Sequence, residues 1–527
     1  MIDEMARLGV PAGNPFYGAA GEPSRLAYYY LWHFSAAELA VVTGAGGWAA
    51  DAGLTFFTGF ASLAAMMGLA TYFSGRASAA FMVLLLAATA SARPVLQFLF
   101  GQEATWSVIQ WSTGLGGWLF QSSWAPQHVA SALCTVISIV MISQLAQRRT
   151  VVLIVTLALM VVAAFASSLW IGGVTFAIAA LLAGAAMLIQ LPPGQRAKFA
   201  AWALLAAGLA LALAMPFLRD QYMAAALRGG ELPITIQPYS VLGKAFPESI
   251  RSLLDIPAFW LVFLLVEFPA IYLAGLLALT GSVRDRGFST EQRCLAVVLI
   301  ALVIASLGAT WLLVSTFGEN NDLGWRAVLP GLMVLIVFAA VWFSRMFAER
   351  RIVASIVGAV AILVGLPDAA KIAYGNLFPS PSASSRAFSE SPPMWDAVRR
   401  HADNSDRVGN NPLFLRDMTP WPVNISWALL SNRRSCYAGS DLAIPFAPLT
   451  AERRIEIDAQ FNRVFAGDAL PQDIPDMAER HDCRVVVVTT LDGAWKRDPF
   501  ADGKHYRLVE ENPASWRIYK RIPPPVR

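Results

Sequence analysis

Charge is what this sequence has least of. Asp, Glu, Lys and Arg together supply 14% of its 527 residues, where a soluble domain carries roughly a quarter. The net charge of +4 is small for the length, and the Lys and Arg sit mostly in short loops rather than in one patch. Nothing in that pattern calls for nucleic acid as a partner. A P-loop, a GxSxG elbow, an HExxH helix and paired CxxC motifs are all missing. Nucleotide hydrolysis, serine-hydrolase chemistry and structural zinc therefore have no motif behind them. The opening run from Met1 to Arg7 lacks the basic-then-apolar order of a signal peptide.

What the chain has instead is apolar surface. Hydrophobic residues make up 56% of it, and the mean hydropathy is +0.52. A bilayer is the solvent that accommodates this excess, because each crossing needs about 20 apolar residues with every backbone group satisfied internally. Runs of that length fall at 49–73, 77–97, 125–146, 149–167, 168–191, 197–217, 257–281, 292–316, 325–346 and 352–372. The connections with Arg148 and Arg149, with Arg196 and Lys198, with Arg284, Arg286 and Arg293, and with Arg345, Arg350 and Arg351 are the basic ones. The positive-inside rule makes them cytoplasmic, together with Arg76. That puts 98–124, 219–256, 317–324 and everything after about 375 outside. The run at 49–73 then starts from the outside. The segment 25–45, with Tyr28, Tyr29, Tyr30, Trp32, His33, Ser35 and Glu38, reads as an interfacial helix rather than a span. Parity then predicts a further spanning helix ahead of residue 1.

The composition changes near 376, where Pro379 to Ser385 reads as a linker. A helix around Trp395, a buried strand through Val485–Val488 and a hairpin about Glu511–Pro513 predict a small α/β domain. The organisation expected is thus a first-loop region at 1–48, a membrane region of about ten helices at 49–375 and an extracytoplasmic α/β domain at 376–527. Cys436 and Cys483 both fall in that domain, as a disulfide or as two buried thiols.

Polar chemistry gathers in the outward loops. Glu267 is the clearest acid deep in a span, and both a functional and a packing role stay open for it. Three outer stretches combine His, Arg or carboxylate with Trp or Tyr: 1–38, then Glu103 with Trp124–His128, then Glu319–Arg326. Arg offers paired contacts to phosphate, and a helix start such as the one after Pro126 favours negative charge. Each stretch also has a plainer reading. Trp124 and Trp325 suit interfacial anchors, Pro126 an ordinary helix start, His128 a satisfied core residue, and Glu319–Asp322 a solvated turn or an oxygen-ligand site for a divalent metal.

The order of these parts resembles the GT-C superfamily of membrane glycosyltransferases, in its bacterial branch. The resemblance lies in the loop holding Ile2–Pro11 and Asn14–Tyr17, the Tyr28–His33 juxtamembrane helix and the span opening at Trp48. It continues through Trp124–His128 and Asn321–Arg326 to the outer α/β domain. It implies a GT-C-like transmembrane helical bundle, mainly α, with an extracytoplasmic α/β domain, in the cytoplasmic membrane. It also implies sugar transfer from a polyprenyl-phosphate donor to a glycan, lipid or protein acceptor, with a divalent metal as an open question. Arg326, His128 and Arg25 would contact phosphate or donor, with Tyr28, His33, Glu103 and Asp322 lining the cavity. Such enzymes carry an acceptor-activating Asp at the start of the first outer loop. That position falls several residues before a stretch like Ile2–Pro11 and so would precede Met1; the alternative, Asp3 or Glu4 in the role, is disfavoured because the run from Asp3 to Arg7 reads as a solvated helical turn. The rival readings are a transporter or flippase, disfavoured by the shortage of paired midplane charges, and a non-catalytic scaffold or sensor.

Overall fold

The computed structural model describes residues 1–10, 13–19, 26, 28–110, 115–227, 233–316, 321–378, 383–418, 424–442, 447 and 449–523. Among them, eight helices are long and apolar enough to cross a membrane: Gly47–Ser74, Pro126–Leu145, Leu169–Gln190, Pro193–Ala226, Glu248–Glu267, Thr290–Leu312, Asp322–Ala348 and Ile352–Leu377. Shorter helices, among them the apolar Ala77–Ala87 and Val151–Ser167, pack with them. Local chemistry sets the ends. Gly75 stops one helix in the left-handed region at φ 66°, Ser289 and Gln292 form a capping box, and Asn321 caps the helix that follows it.

The Asp322–Ala348 helix is the hub, buried along almost its whole length. It packs against Thr290–Leu312, Tyr272–Arg284, Gly47–Ser74 and Ala77–Ala87. Glycine permits the closest of these approaches, since a Cβ at Gly275 would run into the Leu335 carbonyl. The Leu31–Thr43 segment is a helix of 13 residues, too short for a crossing.

Two apolar runs that read as uninterrupted spans are broken. The run at 77–97 is helical to Ala87, loses its ladder through Ala88–Ala92 and restarts as Arg93–Phe100. The run at 257–281 belongs to a helix that begins earlier, at Glu248, and stops at Glu267. A separate helix, Tyr272–Arg284, follows. Pro269 accounts for the second break, since it lacks an N–H and crowds the preceding turn. The freed backbone groups find partners on neighbouring segments: Ala92 N–H donates to Val266 O beside the other break at 2.8 Å, and Ala90 N–H donates to Gly365 O on the Ile352–Leu377 helix at 3.1 Å. Glu267, for which the sequence offers no visible partner, is buried here against Arg93 at 2.5 Å.

The basic loops share one end of the bundle. Arg345 pairs with Asp285 at 2.9 Å, Gln292 donates to Tyr72 O, and Arg76 donates to Ser344 O. The C-terminal domain docks at the other end. Its sheet runs Arg434–Ser435, Arg407–Gly409, Cys483–Thr489, Trp516–Arg521, Tyr506–Asn512; the first three strands are parallel and the last two form an antiparallel hairpin. Val485–Val488 fill its core, and Cys436 and Cys483 are joined as a disulfide.

The first-loop segment ties domain to bundle. Pro15 and Phe16 carbonyls accept from Ser435 and Ala438 N–H, extending the sheet at its edge. Glu4 bridges Arg7 at 2.9 Å and Arg434 at 2.6 Å, while Asp3 accepts from Gly47 N–H at the start of a spanning helix. The solvated turn expected at Asp3–Arg7 is therefore wrong. Glu4 is 3% exposed, and the turn is wedged between the two parts of the molecule.

Candidate functional site

The site forms at the end of the bundle opposite the basic loops, where several helix starts converge. Pro126 opens the Pro126–Leu145 helix and sets His128 in its first turn. Ser168 caps the helical turn at Leu169–Thr175. Asn321 accepts from both Gly324 N–H and Ser315 N–H, which fixes Asp322 at the start of the hub helix and Arg326 one turn on. A short antiparallel ladder, Ile234–Ile236 on Leu313–Ser315, braces that corner.

The side chains then meet. The rings of Tyr28 and Tyr29 stack at 4.0 Å, and Tyr29 Oη lies 3.3 Å from His128 Nε2. His128 Nδ1 lies 2.9 Å from Ser168 Oγ, so both ring nitrogens are engaged and the ring is held in place. Gln127 donates to Tyr28 Oη at 3.5 Å, and Gln221 donates to the Tyr28 carbonyl. Arg326 donates through Nη1 to Gln121 Oε1 at 2.5 Å, while its Nη2 lies 3.7 Å from Asp322 Oδ1. Its Nε is buried with no partner among the described residues. Only 6% of the Arg326 side chain is exposed, against 40% for Asp322. A buried cation is thus met only loosely by its nearest carboxylate.

Electrostatics links the tyrosines to the same group. Burial pushes the Tyr28 phenol up to about 12, with the Asp322 carboxylate adding to the rise and Arg326 opposing it. Tyr29 is held well above the ordinary phenol range, again chiefly by burial. Both phenols stay neutral donors rather than bases. Burial also lowers the His33 imidazole to about 3, which keeps that ring neutral, and its Nδ1 has no partner among the described residues. His33 packs edge-on to Tyr28 at 5.8 Å.

Of the residues singled out from sequence, Tyr28, His33, His128, Asp322 and Arg326 are brought together. Glu103 is not: it stands exposed on the separate Gln102–Val108 helix, with no contact to the cluster among the described residues. Arg25, Glu319 and Asn320 lie outside the described residues. Among the described residues no group of three or more His, Cys, Asp or Glu is placed to hold a metal. Sequence reasoning missed Gln121, Ser168 and Gln221, which are uncharged and carry no signal beyond polarity. It also missed Arg93, a lone Arg inside an apolar run.

Fold and site together define a polytopic helical membrane protein with an α/β domain docked beside its polar cluster. Residues 384–520 match the family model described as the Y4nK C-terminal Rossmann-like domain. Protein y4nK of Sinorhizobium fredii is 33% identical over 537 aligned residues, covering 99% of this chain and 79% of the relative. The chain belongs to the y4nK family. Among solved structures it is similar to the oligosaccharyltransferase AglB of Archaeoglobus fulgidus in complex with an inhibitory peptide and a dolichol-phosphate, at TM-score 0.45 and 11% identity over 93% of this chain. A second structure, of the A. fulgidus oligosaccharyltransferase tethered to an acceptor peptide, gives TM-score 0.41 and 12% identity over the same share. The chain spans 64% of the length of each. Both are distant likenesses in shape.

Proposed function

We propose that this protein is an integral membrane glycosyltransferase that moves a sugar from a polyprenyl-phosphate donor to an acceptor at the outer face of the cytoplasmic membrane. One observation carries the reading. Arg326 is a buried guanidinium whose Nε has no partner among the described residues, gathered with the Tyr28 and Tyr29 phenols and the fixed ring of His128 at the mouth of a membrane helix bundle. Such a group suits a phosphate that arrives on a lipid and gathers charge as it leaves. In the transfer, the acceptor oxygen bonds the sugar anomeric carbon as the bond from that carbon to phosphate oxygen breaks. The bonding pair stays on the lipid phosphate, facing Arg326, and the acceptor proton passes to a carboxylate. Asp322, partly exposed beside Arg326, is the carboxylate of this cluster and takes that role in the reading. The Cys436–Cys483 disulfide, and the gathering of basic loops at the other end, support an outer placement of the C-terminal domain.

The test is transfer of labelled sugar from polyprenyl-phosphate donors by the full-length protein in liposomes. Arg326→Ala and Asp322→Asn are each expected to lower turnover by roughly 100-fold or more, on the scale of losing one charge-stabilising group. Absence of transfer from every donor, with the protein folded, overturns the reading. A transporter or flippase is favoured by one observation, the Arg93–Glu267 pair at two helix breaks, which is the kind of paired charge that sequence inspection found wanting. Lipid translocation in the same liposomes without sugar transfer would favour that alternative.

A further inference from the structure

A cavity of about 600 Å³ opens along the membrane face of the bundle, between the helices Val151–Ser167, Leu169–Gln190 and Pro193–Ala226, with Ile142 and Leu145 at its floor. Every residue lining it is apolar, alanine or glycine. On the Pro193–Ala226 helix the lining runs from Phe199 to Leu218, about 28 Å along the axis at the α-helical rise. The groove is therefore nearly as long as the hydrocarbon core is thick, about 30 Å. An acyl chain of a bilayer phospholipid covers one leaflet, about half that distance. A groove made for such a chain has no use for its second half.

Its outer end abuts the polar cluster. Leu218 follows Phe217, whose ring meets Phe165 at 5.5 Å and Tyr30 at 5.9 Å. One turn further on, Gln221 donates to the Tyr28 carbonyl at 3.3 Å. On the facing wall, Gly172 and Gly173 belong to the helical turn that Ser168 caps, and Ser168 holds His128. A tail lying in the groove thus ends with its headgroup among Tyr28, His128 and Arg326.

We propose that this groove binds one long isoprenoid chain across both leaflets, and that its length makes the site select long-chain over short-chain polyprenyl phosphates. The proposal rests on the polyprenyl-phosphate reading of the polar cluster. The two are separable, because the groove adds chain-length preference while the cluster supplies headgroup affinity.

Binding of a long polyprenyl phosphate and of farnesyl phosphate to the full-length protein in detergent, followed by native mass spectrometry, tests it. The native protein is expected to prefer the long chain by at least about tenfold, since the longer tail makes van der Waals contact along the whole groove where a short one leaves part of it unfilled. Gly184→Phe fills the groove at a point where a side chain meets nothing within 4 Å. Ala207→Phe, on the opposite wall, is a second filling variant. Each is expected to abolish the long-chain preference while farnesyl phosphate binds as before. Equal affinity for both lipids in the native protein, or an unchanged preference in both folded variants, overturns the groove. Loss of both lipids in Arg326→Ala, with the groove intact, reports on the headgroup site alone. A photoreactive long-chain probe supplies an independent readout. It is expected to label the Phe199–Leu218 face, and labelling confined to other helices counts against the groove.

Discussion

At the scale of single residues, the environment decides what a side chain can do. Arg326 spends one Nη1 N–H on Gln121 and holds Nη2 3.7 Å from Asp322, so its Nε and the further N–H groups of the fork are the donors it can offer a ligand. A lysine there would keep the charge and lose the planar fork. His33 gives a prediction with a definite sign. Burial lowers its folded value to about 3, against an ordinary value of 6.5. Between those values the unfolded chain binds the proton and the folded one does not, so stability is full above 6.5 and falls as pH drops through this window. Thermal denaturation from pH 7 to pH 4 should show a smaller acid-induced loss in His33→Gln than in the native protein; superimposable profiles would remove His33 from the acid response. The residues legible in sequence were those with charge or a ring beside a helix start: Tyr28, His128, Asp322 and Arg326. Gln121 and Ser168 were not, because a neutral polar residue in an apolar run has many uses and only its neighbours show which applies.

At the scale of elements, the apolar period marks where helices lie and says less about where they stop. Reading 257–281 and 77–97 as single runs passed over Pro269 in the first and Thr89, Ser91 and Pro94 in the second. Neither signal tells whether neighbouring chains will satisfy the freed backbone groups. The breaks are held by the Arg93–Glu267 pair, with Arg93 also donating to Gln110 O at 2.6 Å. Removing one partner strands a buried charge, so Arg93→Leu should cost about 3–5 kcal/mol. The double variant Arg93→Leu with Glu267→Leu should recover most of that loss in a thermal-unfolding comparison. If the double variant is as unstable as the single, coupling between the pair is not what maintains the breaks.

At the scale of the whole molecule, the docking of the C-terminal domain depends on a few polar links set in a shared apolar core. Ile2, Met5 and Phe16 pack in one cluster with Trp395, Trp427 and Val487. Glu4, between Arg7 and Arg434, is the buried charge of that joint. Glu4→Ala leaves two arginines facing a gap and should destabilise the joint by about 3 kcal/mol. Limited proteolysis should then cut between the bundle and the domain faster than in the native protein, and an unchanged cleavage rate would place the joint's strength in the apolar core instead. The sequence by itself determined that the chain is a helical membrane bundle followed by an α/β domain. Apolar length, basic loops and a β-branched run are local features that solvent reads directly. It did not determine that Glu4 is buried, that Glu267 has Arg93, that Cys436 and Cys483 are joined, or that Glu103 stands apart from Arg326. Each of those depends on which distant segment arrives as neighbour, and burial, pairing and the field at a charged group exist only once the tertiary structure has supplied that neighbour.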